Sequence, residues 1–236
     1  MNIKQGFRLR IALAALLGTL AGLAFFAVCV MAQPRADLGH VPSIEVSDID
    51  VIDKPAPAAL YSGQTMPCYL QDDPQWAHLP YAGGTIGDSG CGLTCAAMAI
   101  EYMTTQRTDP RTLADAVGDT CLADGVNDPG KFCSWIADHY ADYGISHTDI
   151  YFDPTDALRD VRDGKLVFAS LTGDFGDRSY GGHIVLLWLS DGSGIWVRDP
   201  MSGANSQTPI TEAEFYAVNW VYFYSISGGN YGTLRH

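Results

Sequence analysis

Apolar positions along this chain change rhythm three times, and each rhythm predicts a different kind of element. Residues 11–32 (IALAALLGTLAGLAFFAVCVMA) are one uncharged apolar run, preceded by Lys4, Arg8 and Arg10. The run is longer than the usual signal-peptide core and long enough to cross a bilayer as one helix. It also ends Val30-Met31-Ala32, with small residues where a signal peptidase inspects the chain. It is read as a permanent anchor or a cleaved signal (1–32), with the basic flank cytoplasmic and the rest of the chain outside the cell. From 33 to 63 no period is sustained, and this acidic, Pro-punctuated stretch reads as an extended linker.

The folded part is expected over 64–236. In GCGLTCAAMAIEYMT, starting at Gly90, Leu93, Ala96 or Ala97, Ile100 and Met103 recur at helical spacing. Other faces of that segment are apolar too, which predicts a central, buried helix. Asp109-Pro110, Asp128-Pro129 and Asp153-Pro154 each place a capping side chain before a proline, the signature of a helix start. The second of these helices is expected over 129–143, with His139 as a partly buried structural residue. After Gly164 the pattern changes to short continuous apolar runs. Residues 166–171, 184–189, 195–197 and 218–224 predict strands, with Asp191-Gly192-Ser193-Gly194 as a hairpin turn. Helices first and antiparallel strands second make an α+β domain.

Composition narrows the function. The chain has 236 residues, 47% of them hydrophobic and only 17% charged, which suits one globular domain with a sizeable core and argues against a disordered chain. The net charge is −13, and basic residues are not clustered beyond the first ten positions. Nucleic-acid binding needs a basic face that displaces counterions, so it is excluded. Outside the cytoplasm disulfides are permitted. Apart from Cys29 the chain has Cys68, Cys91, Cys95, Cys121 and Cys133, an odd number, so at least one thiol is left over. With Cys91 free, the other four allow three pairings. Cys121 with Cys133 would close a short loop, and Cys68 with Cys95 would pin the first folded segment to the central helix.

Cys91 lies between two glycines at the head of that helix. There the glycines let the backbone bend and a substrate approach, and the helix N-terminus favours thiolate. A small buried cysteine beside a helix cap is the plainer alternative. Among the histidines, His183 stands out because Gly181-Gly182 leads through it into an apolar strand, exposing an imidazole at the rim of a rigid sheet. Asp199 follows the next strand and precedes Pro200. An odd-numbered hairpin loop would put His183 and Asp199 on one face, where the carboxylate could fix the imidazole tautomer; the alternative is that Asp-Pro simply ends a strand, which is common. Gln71, in CYLQDDPQW, is a neutral amide suited to donating to a developing oxyanion.

Taken in order, QDDPQW, GGTIGDSGCGLTCAAMA, GKLVFASLTG and GGHIVLLWLSDGSGIWVRDP resemble the bacterial papain-like cysteine peptidases related to the bacteriocin-leader (double-glycine) peptidases. The resemblance covers roughly 65–224. It implies a papain-like α+β fold, a triad of Cys91, His183 and Asp199, and an oxyanion hole served by Gln71. It departs from the family at Leu93, where proline is usual, and at Cys95, where serine or another small residue is usual. No transporter portion follows, so a stand-alone enzyme is expected, without coupling to export of a bacteriocin. The function expected is hydrolysis of a peptide bond in a peptide or protein substrate, without cofactor or metal. The alternatives are a cell-wall peptide amidase or transpeptidase using the same triad, and an inactive surface binding module.

Overall fold

The structure is a computed structural model that describes residues 65–229. The apolar segment 11–32, the linker 33–63 and the last residues lie outside the described residues.

Two layers of helices cover the two faces of one antiparallel sheet. Four long-range strands build most of that sheet: β6 (Leu166–Phe175), β7 (Arg178–Asp191), β8 (Gly194–Arg198) and β9 (Asn219–Ser227). With the short β5 (Ser146–His147) they stand in the order β5-β9-β6-β7-β8, each pair antiparallel. Two small hairpins precede them, β1 (Pro80–Tyr81) with β2 (Gly84–Thr85), and β3 (Leu122–Ala123) with β4 (Val126–Asn127). Their turns, Ala82-Gly83 and Asp124-Gly125, have positive φ at both central residues, the geometry that suits the twist of a tight hairpin.

Before the sheet come α1 (Ile86–Ser89), α2 (Cys91–Thr104), α3 (Pro110–Val117) and α4 (Pro129–His139). Helix α5 (Pro154–Arg162) leads into β6, and α6 (Glu212–Ala217) lies between β8 and β9. The three Asp-Pro starts form as predicted: Asp109, Asp128 and Asp153 each accept backbone N–H groups of the first turn. Apart from Cys91 and Glu101, every residue of α2 is buried, as its all-round apolar sequence requires. It packs with α3 and α4 onto the sheet face that carries Leu166, Phe168, Ile184, Leu186 and Trp188. The opposite face, with Val167, Ala169, Val185, Leu187 and Val197, is covered by Ala157, Leu158 and Val161 of α5.

This is the expected α+β arrangement, a helix headed by Cys91 packed on an antiparallel sheet. Several details differ. The helix predicted over 129–143 stops at His139, and a separate 3₁₀ turn, Ala141–Tyr143, follows. His139 is exposed rather than partly buried, with its ring stacked on Trp135 at 3.9 Å. Helix α6 was not read from the sequence, although Thr211 and Glu214 form a reciprocal capping box. All five cysteines of the described residues are unpaired. Cys68 is exposed while Cys95 is buried with its thiol directed at the Ile184 carbonyl, so the suggested pairing of the two is not made.

Candidate functional site

Two irregularities in β7 place the imidazole. Leu171 pairs with His183 but Gly173 pairs with Tyr180, so Gly181 and Gly182 together face the single residue Thr172. This bulge turns Tyr180 and His183, three apart in sequence, to the same side. Their rings stack at 4.1 Å with 9° between the planes. Further along, the β7–β8 turn has two residues, Gly192 and Ser193, rather than the odd-numbered loop that the His183–Asp199 spacing required. A second register shift, between Leu187 and Leu189, supplies the missing residue. Odd-numbered residues of β7 then oppose odd-numbered residues of β8, and the two side chains meet.

His183 Nε2 lies 2.8 Å from Asp199 Oδ1, and the two residues are 3% and 0% exposed. The imidazole is therefore buried inside the sheet, not exposed at its rim as the sequence suggested. The Asp199 carboxylate is fully engaged. Oδ1 also accepts the Met201 N–H at 2.8 Å, and Oδ2 accepts from Tyr180 Oη and Asn205 Nδ2, each at 2.8 Å. Its backbone N–H donates to Ser206 Oγ. Burial pushes the Asp199 carboxyl up, but the His183 hydrogen bond and charge, with Asn205 and the Met201 N–H, hold it below the usual carboxylate range.

With Nε2 committed to Asp199, Nδ1 is the nitrogen left for the thiol. Burial pushes the His183 imidazole down. The hydrogen bond to Asp199, with the Cys91 sulfur beside the ring and the Asp199 charge, outweighs it and raises the ring to about 9. An imidazole so placed carries its proton at neutral pH.

Cys91 is the first residue of α2, and Gly90 before it offers no side-chain cap, so first-turn N–H groups of the helix are left beside the sulfur. The flanking glycines act differently from the expectation. Neither has positive φ, and both are surrounded by protein rather than by space for a substrate. A Cβ at Gly90 would collide with the Ile86 carbonyl oxygen, and one at Gly92 would sit 2.8 Å from Asn127 Cβ. They let α1 and the β3–β4 hairpin press onto the helix head. The open space lies instead at Gly181 and Gly182, where an added Cβ would meet nothing within 4 Å.

Gln71 is buried at the junction of these parts. Its backbone N–H donates to the Pro200 carbonyl at 2.8 Å, one residue beyond Asp199. Its side-chain Nε2 donates to the Gly87 carbonyl at 2.7 Å, in the short helix that runs into Gly90 and Cys91. That bond fixes which end of the amide is nitrogen and leaves a second N–H for another acceptor. Arg198 holds the same segment in place: its guanidinium lies over Trp188 and donates to the carbonyls of Met66, Pro67 and Ser206.

The structure thus brings Asp199 against His183 and the Cys91 sulfur beside His183, with Gln71 braced between the Asp199 loop and the turn before Cys91. Sequence reasoning missed Tyr180, Asn205 and Asn127. The Asp124-Gly125 dipeptide signalled the hairpin that carries Asn127, but nothing in the sequence said that this hairpin would lie on the helix head.

The geometry is that of an α+β protein with a cysteine heading a buried helix and a buried, carboxylate-held imidazole facing it. Residues 64–227 match the model of the Peptidase_C39 like family, most of the chain, and the protein belongs to that family. Among solved structures, one described as a C39-like peptidase from Bacillus anthracis is similar at 17% identity and a TM-score of 0.45, covering 69% of this chain and 94% of that one. No curated protein matches the chain.

Proposed function

We propose that this protein is a thiol hydrolase that cleaves peptide bonds through an acyl-enzyme on Cys91. The reading rests above all on one observation: a buried, fully hydrogen-bonded Asp199 holds the His183 ring beside the Cys91 thiol. In this mechanism Cys91 rests as thiolate beside imidazolium His183 and attacks the substrate carbonyl carbon. The carbonyl electron pair moves onto oxygen, where the Cys91 N–H and the second N–H of Gln71 stabilise it. Imidazolium His183 gives its proton to the leaving amine as the C–N bond breaks. Neutral His183 then takes a proton from water, whose oxygen attacks the thioester and releases the acid and Cys91. Asp199 keeps the ring in one orientation and favours its charged form. The open side over Gly181-Gly182 is where the substrate backbone lies.

The chain works outside the cytoplasm, held or delivered by its apolar segment 11–32; the basic residues before that segment motivate this. A protease added to intact cells should degrade the domain, and a domain left untouched would contradict the orientation. The hydrolase reading is tested by incubating the full chain with a diverse peptide library and, in parallel, with cell-wall fragments. Cleavage at defined amides that vanishes in Cys91→Ala is expected. Identical product profiles for wild type and Cys91→Ala would overturn it.

A further inference from the structure

The Cys91 sulfur has a polar neighbour besides His183. Asn127 ends β4, is buried, and places Nδ2 3.9 Å from Cys91 Sγ, within reach of a hydrogen bond to sulfur. Both ends of its amide are fixed by the protein. Tyr81 Oη donates to Oδ1 at 3.0 Å, and Nδ2 donates to the Ser89 carbonyl. Rotating the amide by half a turn would set Oδ1 against the Ser89 carbonyl oxygen, acceptor against acceptor, so the nitrogen is locked on the side of the thiol. An amide nitrogen has two hydrogens, and the Ser89 carbonyl takes one. The close approach is built into the backbone, because Gly92 lacks the Cβ that would collide with Asn127.

We propose that Asn127 is a second donor to the Cys91 sulfur, aimed by Tyr81 and Ser89, that stabilises the thiolate and holds it facing His183. The inference rests on the reading of Cys91 as nucleophile. A hydrogen bond to a charged acceptor is stronger than one to a neutral acceptor, so the N–H favours thiolate over thiol. It brings no charge that a substrate must displace. Cys91 acts on four titratable groups that face it from different elements: His183 from β7, Tyr81 from β1, Tyr222 from β9 and Cys95 from its own helix. Burial pushes both phenols and the Cys95 thiol up, so His183 is the one cation of this set at neutral pH and Asn127 the neutral donor beside it.

The test is the pH profile of Cys91 alkylation by iodoacetamide in the full chain, for wild type, Asn127→Ala and Asn127→Asp. The alanine variant should move the midpoint up by about one pH unit, the size of one hydrogen bond to a charged group. Asn127→Asp keeps the shape but turns an acceptor towards the sulfur, so its midpoint should rise at least as far. Turnover of a cleaved peptide should fall by up to about tenfold in Asn127→Ala when measured below the wild-type midpoint, where the thiolate fraction falls with each unit of the shift, and far less near pH 7. A folded variant of either kind with an unchanged midpoint overturns the proposal and leaves Asn127 as packing. Asn127→Asp carries the test alone if the alanine variant does not fold. A wild-type midpoint near about 8.5, unmoved by His183→Ala, would instead remove the hydrolase reading itself, and this inference with it.

Discussion

Two carboxylates are buried among the described residues, Asp199 and Asp160, and they are placed for different ends. Asp160, on α5, has Lys165 Nζ at 2.7 Å from Oδ1, and Oδ2 accepts from Ser225 Oγ at 2.5 Å and Tyr151 Oη at 3.2 Å. Lys165 ties α5 to the turn before β6, Ser225 ties it to β9 and Tyr151 to the segment before the helix, and the network ends there. Asp199 is satisfied just as completely, but one of its donors is an imidazole whose other nitrogen faces a thiol. Burying a carboxylate costs free energy wherever it happens, and hydrogen bonds offset that cost in both places. Only the second arrangement has a group left over that can move a proton. Satisfaction of a buried charge is thus no sign of chemistry; what its partner does with its remaining valence is.

The largest effect should separate the two carboxylates. In Asp199→Asn an N–H₂ replaces an oxygen that accepts two donors, the imidazole loses its charged partner, and turnover should fall roughly 10³-fold per folded molecule. Asp160→Asn should instead lower stability by about 1–3 kcal/mol while turnover per folded molecule stays near wild type. Urea denaturation with peptide-cleavage kinetics on both variants reads this directly. Equal losses of turnover would erase the distinction.

Gln71→Ala comes next. If Gln71 is the oxyanion donor of the proposed mechanism, its loss should reduce kcat by roughly 10²–10³ while leaving Cys91 alkylation almost intact, because such a donor acts on the substrate oxygen and not on the sulfur. Slowed alkylation would mean that Gln71 shapes the helix head instead.

Stability against pH sharpens the comparison on the histidine side. The folded His183 pKa of about 9 lies above the ~6.5 of an unfolded histidine, so its proton contributes stability that is full below about pH 6.5 and lost as pH rises through about 9. Asp199 acts oppositely: its stabilisation is present above its unfolded pKa and lost as pH falls through its lowered one. Urea midpoints between pH 6.5 and 9 should fall more steeply for wild type than for His183→Ala. Parallel curves would contradict a protonated His183.

The smallest effect is expected at Tyr180. Tyr180→Phe keeps the ring stacked on His183 but removes one donor from Asp199 Oδ2, leaving Asn205 on that oxygen. Turnover should drop only a few-fold, with stability lowered by about 1 kcal/mol. A loss as large as that of Asp199→Asn would make the phenol a full partner in orienting the pair.

Much of the fold was legible because its signals are local. The Asp-Pro caps, the all-round apolar helix and the Gly192-Ser193 turn each follow from residues a few positions apart. The His183–Asp199 contact was legible only in part. Their even spacing was visible, but the face each side chain takes depends on two bulges, and a bulge is decided by how neighbouring strands settle against each other. Residues at 171–173, 180–183 and 187–189 carry no local mark of it beyond the glycine pair. Gly90 and Gly92 were misread for the same reason. A glycine tells the reader that a side chain has no room, but not whether protein or substrate takes that room. Asn127 and Asn205 were invisible because asparagine in a loop is common, and their partners lie far off in sequence.

The central claim, that Cys91 is an activated thiol paired with a charged His183, has one direct test. The rate of Cys91 alkylation by iodoacetamide should be followed from acid to alkaline pH in wild type and in His183→Ala. The account predicts rapid wild-type alkylation that persists well below pH 7, and a His183→Ala profile displaced towards the free-cysteine value of about 8.5. A wild-type profile already centred near that value, and unchanged in His183→Ala, would contradict it.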